Sequence, residues 1–208
     1  MVLVGGADGL AARPAAAIAA LLREVLVPFC ERFGVLVVDG GTDAGVMALM
    51  GRARAAAAAR FPLLGVAARG TVHRPGEAEP PGRAALEPNH SHFLLVPGDR
   101  WGDEVPWISA AATCLSAGRA SLTLVAGGGR VTERDVAASL QAGRPTVLLV
   151  GSGGTADRIA AEHTAGPRDA AAAHLLHLVA LAEAPVRLAP LVEALLAAGP
   201  PGRAPDRL

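Results

Sequence analysis

Four short runs of glycine and small residues are the places in this sequence best suited to chemistry. They are Gly5-Gly6-Ala7, Gly40-Gly41-Thr42 with Gly45 close behind, Gly127-Gly128-Gly129, and Gly151-Ser152-Gly153-Gly154. Each follows an apolar run and precedes a more Ala-rich or polar one. Glycine lets a backbone approach an anion closely and adopt positive φ. The first turn of a following helix adds unpaired N–H groups and the positive end of its dipole. Phosphate binding is the chemistry such turns suit. Glycines also make ordinary tight βα turns, so one run alone says little, and the weight rests on the set. None is a P-loop, because the chain contains no lysine, and Gly5-Gly6-Ala7-Asp8-Gly9 lacks the GxGxxG spacing of dinucleotide dehydrogenases.

Other residues could complete such a site. Thr71, His73 and Arg74 follow the third apolar run, and Arg74 could fork onto a phosphate or ribose in a bidentate manner. An exposed loop arginine is the plainer reading. His90 and His92 are two residues apart at the start of a strand, so they face opposite sides and make poor joint ligands. The sequence calls for no metal and no cofactor. One of these histidines is expected to fix the pocket wall by a hydrogen bond, with Asn89 capping a turn. Asp103 and Glu104 precede Pro106, which suits the start of a helix; contact with a ligand ribose hydroxyl is the sharper alternative. Trp101 could stack on a base or simply pack. Arg130, Glu133, Arg134 and Asp135 open a helix after the triple glycine, where a solvated first turn is the simple reading.

The elements that must hold these residues alternate in type. Strands are expected at Val2–Val4, Val35–Val38, Leu63–Ala67, His92–Val96, Leu122–Ala126 and Thr146–Val150. Helices are expected over about 14–33, 44–60, 107–117, 132–142 and 156–165, and 69–89 reads as a long loop. Strands apolar on both faces and separated by helices indicate a parallel sheet covered on both sides. The predicted architecture is an α/β fold: a Rossmann-like, doubly wound, mostly parallel sheet with helices on both faces. A single domain over 1–168 precedes a C-terminal helical extension at 169–199, broken around Pro185 and Pro190. That extension is expected to pack on the core or on a partner subunit of a homo-oligomer, and 200–208 is expected to fray. In such a sheet the glycine turns share the carboxyl edge, where ligands bind.

Composition narrows the function classes. Of 208 residues, 51% are hydrophobic, which excludes global disorder, and the length suits one substantial core. Nineteen basic and 19 acidic residues cancel, so the basic excess of a non-specific nucleic-acid binder is missing. Cys30 and Cys114 have no metal or redox spacing and read as buried inert thiols. No apolar run is long enough for a membrane span and no leader is evident, so a soluble, cytoplasmic protein is expected.

Several segments resemble the SLOG superfamily, in particular the branch found in the cytosolic region of TRPM channels and in stand-alone prokaryotic proteins. Val38-Asp39-Gly40-Gly41-Thr42-Asp43-Ala44-Gly45-Val46-Met47, continuing to Gly51, is similar to that branch's GGT-x-x-GVM-x-x-x-G element. Gly65-Val66-Ala67 and Gly70-Thr71-Val72-His73-Arg74 resemble its G-I/V-A and G-x-V-x-R segments. Leu86 to Val96, containing Asn89-His90-Ser91-His92-Phe93, resembles L-D/E-x-NH-S/T-HF-x-LV. Gly102-Asp103-Glu104-Val105 resembles a G-x-E-V/I step, and Gly151-Ser152-Gly153 with Ala156-Asp157-Arg158-Ile159-Ala160 resembles GSG-x-x-AD-x-IA. The resemblance runs in order from about residue 3 to residue 163.

What the resemblance implies is a Rossmann-like fold that recognises nucleotide-derived ligands, ADP-ribose in some channel members. Hydrolytic SLOG relatives, which release the base from nucleoside monophosphates, carry PGG-x-GT-x-x-E where this chain reads Ala126-Gly127-Gly128-Gly129-Arg130-Val131-Thr132-Glu133-Arg134-Asp135. Gly128, Gly129 and Thr132 match; the catalytic Glu is replaced by the shorter Asp135. The leading expectation is therefore a ligand sensor for an NAD-derived or ADP-ribose-like nucleotide. The alternatives are a nucleotide phosphoribohydrolase or related N-glycosidase using Asp135 or Glu133, and a scaffold with a vestigial pocket.

Overall fold

Val2, Leu3 and Val4 are buried on both faces, as a central parallel strand requires, and they form most of β1 (Val2–Gly5). The computed structural model describes residues 1–6, 12–74, 77, 80–166 and 170–199. Ala7 and the tail expected to fray, 200–208, lie outside the described residues.

After β1 come α1 (Ala12–Leu21), a π-helical turn (Leu22–Leu26) and α2 (Val27–Phe33). The π turn ends two residues before Pro28, whose missing N–H cannot complete an α-helical ladder. The chain continues through β2 (Val37–Asp39), α3 (Gly45–Ala56), β3 (Leu63–Ala68), β4 (Val72–His73), β5 (Ala84–Ala85) and β6 (His92–Val96). It then returns through α4 (Val105–Ser116), β7 (Thr123–Ala126), α5 (Arg130–Gln141), β8 (Thr146–Val150) and α6 (Gly154–Ala165). Last come α7 (Ala170–Ala173), β9 (Leu176–Ala180) and α8 (Ala184–Ala197).

Seven strands form one sheet in the order β6-β3-β2-β1-β7-β8-β9. Every pairing in it is parallel. Alternating residues feed opposite faces. Leu3 joins Ile18, Leu26, Met50 and Leu188 in one core layer. Val2 and Val4 join Ile108, Val136 and Ala160 in the other. Helices thus cover both faces, and the fold is the doubly wound α/β class.

Three expectations change. The first half of 169–199 is not helical throughout: Leu176–Ala180 is a seventh strand, paired along β8 from Thr146↔Leu176 to Val150↔Ala180. Only α8 is the expected long helix; Pro185 lies in its first turn and Pro190 lies inside it without breaking it. The stretch 69–89 contains β4 and β5, a separate two-stranded parallel pair. Cys114 is exposed, because it sits on the outer face of α4, whereas Cys30 is buried as expected. Burial pushes the Cys30 thiol up to about 12, which keeps it protonated and inert.

Candidate functional site

From β1 the chain builds outward through β2, β3 and β6, then crosses back to β7 on the other side of β1. The reversal leaves a crevice at the carboxyl ends of β1 and β7, the usual binding position in open α/β sheets. A cleft of about 410 Å³ lies there. Gly5, Gly6, Gly40, Thr42, Thr71 and Gly129 line it, as does Asp135, so seven candidates from the sequence meet in one place.

The triple-glycine turn is shaped by its neighbours. Gly127 N–H donates to Ser152 Oγ at 2.7 Å. The Gly128 carbonyl accepts Thr155 N–H at 2.9 Å and the Gly127 carbonyl accepts Ala156 N–H at 3.1 Å. Thr155 Oγ1 donates to Gly129 O at 2.9 Å. Gly128 takes φ +101° with the Thr132 side chain against it, so no Cβ fits there. Thr132 Oγ1 in turn donates to Gly5 O at 3.2 Å, joining α5 to the end of β1.

These bonds divide the four turns by role. The first N–H groups of α6 are spent on Gly127 and Gly128, and Asp157 takes the N–H groups of Gly151 at 2.7 Å and Gly153 at 3.1 Å. Gly151, Ser152 and Gly153 therefore support the turn after β7 and do not line the cleft; nor do Gly127, Gly128, Gly41 or Gly45. The first turn of α5 is different. Gly129, Arg130, Val131 and Thr132 all line the cleft, and no described residue accepts their N–H groups. Arg130 is exposed at the rim and forms no ion pair among the described residues.

Two buried carboxyls share the cleft with this cationic end. Asp135 lies one turn further along α5, only 8% exposed, and its Oδ1 has no hydrogen-bond partner. Burial pushes its pKa up to about 7; the Glu104 charge pushes the same way and Arg134 opposes. Glu104 stands at the N-terminal boundary of α4 without capping it through its side chain, and accepts the Gly102 N–H with both oxygens, at 2.9 and 3.1 Å. Burial raises it as well. Sequence reasoning gave Glu104 a helix-initiating role with ligand contact as an alternative; its position in the cleft arises only when α4 packs beside α5. Trp101 stands at the mouth, 47% exposed, with Ala44, Met47 and Ile108 as apolar lining.

Other candidates fall elsewhere. Glu133 is exposed and paired with Arg158 at 2.9 Å, outside the lining. Arg74 is exposed and does not line the cleft. His73 is buried on β4, its Nδ1 3.2 Å from Arg74 O and its Nε2 unpartnered, also outside the lining. Thr71 Oγ1 donates to Ala68 O at 2.9 Å, which fixes the turn after β3. No group of three or more potential metal ligands occurs among the described residues. Nor is any described helix long and apolar enough to cross a membrane.

A doubly wound parallel sheet with a cleft at its switch point defines a ligand-binding α/β domain. Residues 1–190 match the family described as SLOG in TRPM, prokaryote, and the chain belongs to that family. No curated protein sequence matches it. Among solved structures, the X-ray structure of TM1055 is similar at 21% identity and TM-score 0.64, covering 93% of this chain and 97% of that one. The molybdenum cofactor binding protein from Rippkaea orientalis is similar at 14% identity and TM-score 0.62, covering 92% and 95%. The molybdenum cofactor carrier protein from Chlamydomonas reinhardtii is similar at 19% identity and TM-score 0.56, covering 94% and 96%. These likenesses show a shared fold.

Proposed function

We propose that the cleft binds a phosphate-bearing small molecule of the nucleotide class, NAD-derived or ADP-ribose-like, and that the chain acts as its sensor. One observation carries the reading: Gly129, Arg130, Val131 and Thr132 line the switch-point cleft with N–H groups that no described residue takes up. A helix N-terminus with free amides and an adjacent arginine is suited to an anion. Trp101 at the mouth offers a face for a base, and the cleft volume lies within the usual range for small-molecule sites. Membership of the SLOG family supports a ligand of this class. Two similar folds are described as molybdenum cofactor proteins, so that cofactor belongs in the ligand panel. Calorimetry with ADP-ribose, NAD, AMP and cyclic nucleotides tests the reading. Micromolar binding of at least one supports it, and no binding below millimolar for any of them rejects it.

A second reading, N-glycosidase activity, is favoured by one specific feature. Asp135 presents an unpartnered carboxyl in the cleft with a pKa of about 7, suited to holding a proton near neutrality. Its proton would pass to the departing base nitrogen as the C1′–N bond breaks, while water adds its oxygen at C1′ and returns a proton to the carboxylate. Base release from nucleoside monophosphates, abolished by Asp135→Ala, would establish this reading over the sensor.

A further inference from the structure

A buried trio beside the cleft has no part in either reading above. His90 Nε2 lies 2.8 Å from Asp39 Oδ1 and His90 Nδ1 lies 2.8 Å from Glu87 Oε2, with all three side chains at 0–1% exposure. Donors already reach Asp39 Oδ1 and both Glu87 oxygens, while Asp39 Oδ2 is buried without a partner. Gly41 N–H donates to Asp39 Oδ1 at 2.7 Å. Asn89 donates its backbone N–H to Glu87 Oε2 at 2.8 Å and its Nδ2 to Oε1 at 2.5 Å. Donor hydrogen bonds of this kind favour the charged form of a carboxyl group. A neutral imidazole would then point a lone pair at one of them. A ring that donates from both nitrogens satisfies both carboxyl groups, an arrangement that favours the imidazolium.

This trio ties the segment before β6 to the turn after β2. Around it, Glu87 N–H donates to Gly41 O at 2.9 Å, Asp43 N–H donates to Ala85 O at 2.8 Å, and Thr42 bridges Leu86. Gly40 and Thr42 line the cleft. We propose that His90 is a positioning residue: a charged strut between Asp39 and Glu87 that holds the Gly40–Thr42 rim and couples ligand affinity to a proton stored outside the cleft.

The charged groups around the ring are few. Asp39 faces it from β2 and Glu87 from the segment before β6. On β6 the Phe93 ring stacks on it at 5.4 Å, and α3 brings Gly51 against the Glu87 carboxylate. Arg54 of α3 donates to the carbonyls of Phe61 and Asn89, at 2.9 and 3.1 Å, and not to the trio. His92 is exposed, its Nδ1 2.9 Å from Ser91 Oγ. Burial pulls the His90 pKa down, and the two carboxylates outweigh it, so the net direction is up from 6.5. A raised folded pKa contributes stability that is complete below the unfolded value and lost as pH rises through the folded one.

The ring's protonation needs no ligand for its test, while the coupling rests on the nucleotide-class reading. Ring-nitrogen NMR of the wild-type protein at pH 7.5 is expected to show both His90 nitrogens protonated. Asp39→Asn, which keeps the side-chain shape, should return His90 to the neutral form at that pH. A neutral His90 in the wild type overturns the strut. The coupling is read by calorimetry with AMP between pH 7 and 9, in an Asp135→Asn background so that the cleft carboxyl does not titrate. Affinity should fall at least roughly tenfold with the midpoint seen by NMR, and Asp39→Asn should move that fall to lower pH. A pH-independent affinity overturns the coupling. Absence of any AMP or ADP-ribose binding at pH 7 in the wild type overturns the reading of the cleft and the coupling with it, while the ring measurement still decides the strut.

Discussion

Ser152 Oγ accepts the Gly127 N–H at 2.7 Å, so the turn after β8 holds the turn after β7 in shape. The same hydroxyl donates to Leu149 O. One side chain thereby secures the glycine turn that presents the first turn of α5 to the cleft. Ser152→Ala leaves the buried Gly127 N–H without its partner, which costs about 1–3 kcal/mol. Urea denaturation should show that loss, and AMP affinity should drop with it. Unchanged stability would mean the turn holds without this bond.

The two candidate arginines are separable. Arg130 lines the cleft and Arg74 does not. Arg130→Ala should weaken binding of a phosphate-bearing ligand by about 1.5–3 kcal/mol, the range of a charge-assisted hydrogen bond. Arg74→Ala should leave affinity within about 0.5 kcal/mol, as for an ordinary surface substitution. Calorimetry on both variants checks this, and the reverse ranking would place the anion beside the end of β4 and not on the first turn of α5.

Asp135 gives the protein a pH signature. Its folded pKa of about 7 lies above the ordinary 3.8. The folded state then binds more protons between those values, so stability falls as pH rises from about 4 to 7 and levels above. Asp135→Asn should flatten that slope and be more stable than wild type at pH 8 by about 4 kcal/mol. Thermal denaturation across pH measures it. Glu104→Gln removes the second cause of the shift and should move the slope to lower pH. An anionic ligand should also bind more weakly as pH rises through 7, because the ionised Asp135 repels it.

Gly51 tests the packing of the His90 trio. In an isolated helix, alanine would be better than glycine by about 1 kcal/mol. Here a Cβ on Gly51 would collide with the Glu87 carboxylate. Gly51→Ala is expected to destabilise by about 1–3 kcal/mol despite its helix propensity. Increased stability in chemical denaturation would show that Glu87 can move aside.

Much of this fold was legible because apolar runs such as Thr146-Val147-Leu148-Leu149-Val150 are buried on both faces and lie between helices. Leu176–Ala180 escaped because it is an edge strand of five residues, only partly buried, interrupted by His177 and flanked by alanine-rich helices. The glycine turns were legible as a set. Which of them keeps free amides was not, because that is decided by tertiary bonds such as Thr155 and Ala156 to the third turn. Glu104 and Asp135 are 31 positions apart in sequence and meet only where α4 and α5 pack. The NHSHF segment pointed to a histidine that hydrogen-bonds across the loop. His90 makes such bonds, through two carboxylates that spacing alone does not single out.

The central claim is that an anion sits on the first turn of α5. Backbone amide NMR during titration with AMP and ADP-ribose addresses it directly. The largest shifts should fall on Gly129, Arg130, Val131 and Thr132, with Gly6 and Thr42 following and Gly151 and Gly153 nearly still. Shifts concentrated on the Gly151–Gly153 turn, or none at millimolar ligand, would contradict it.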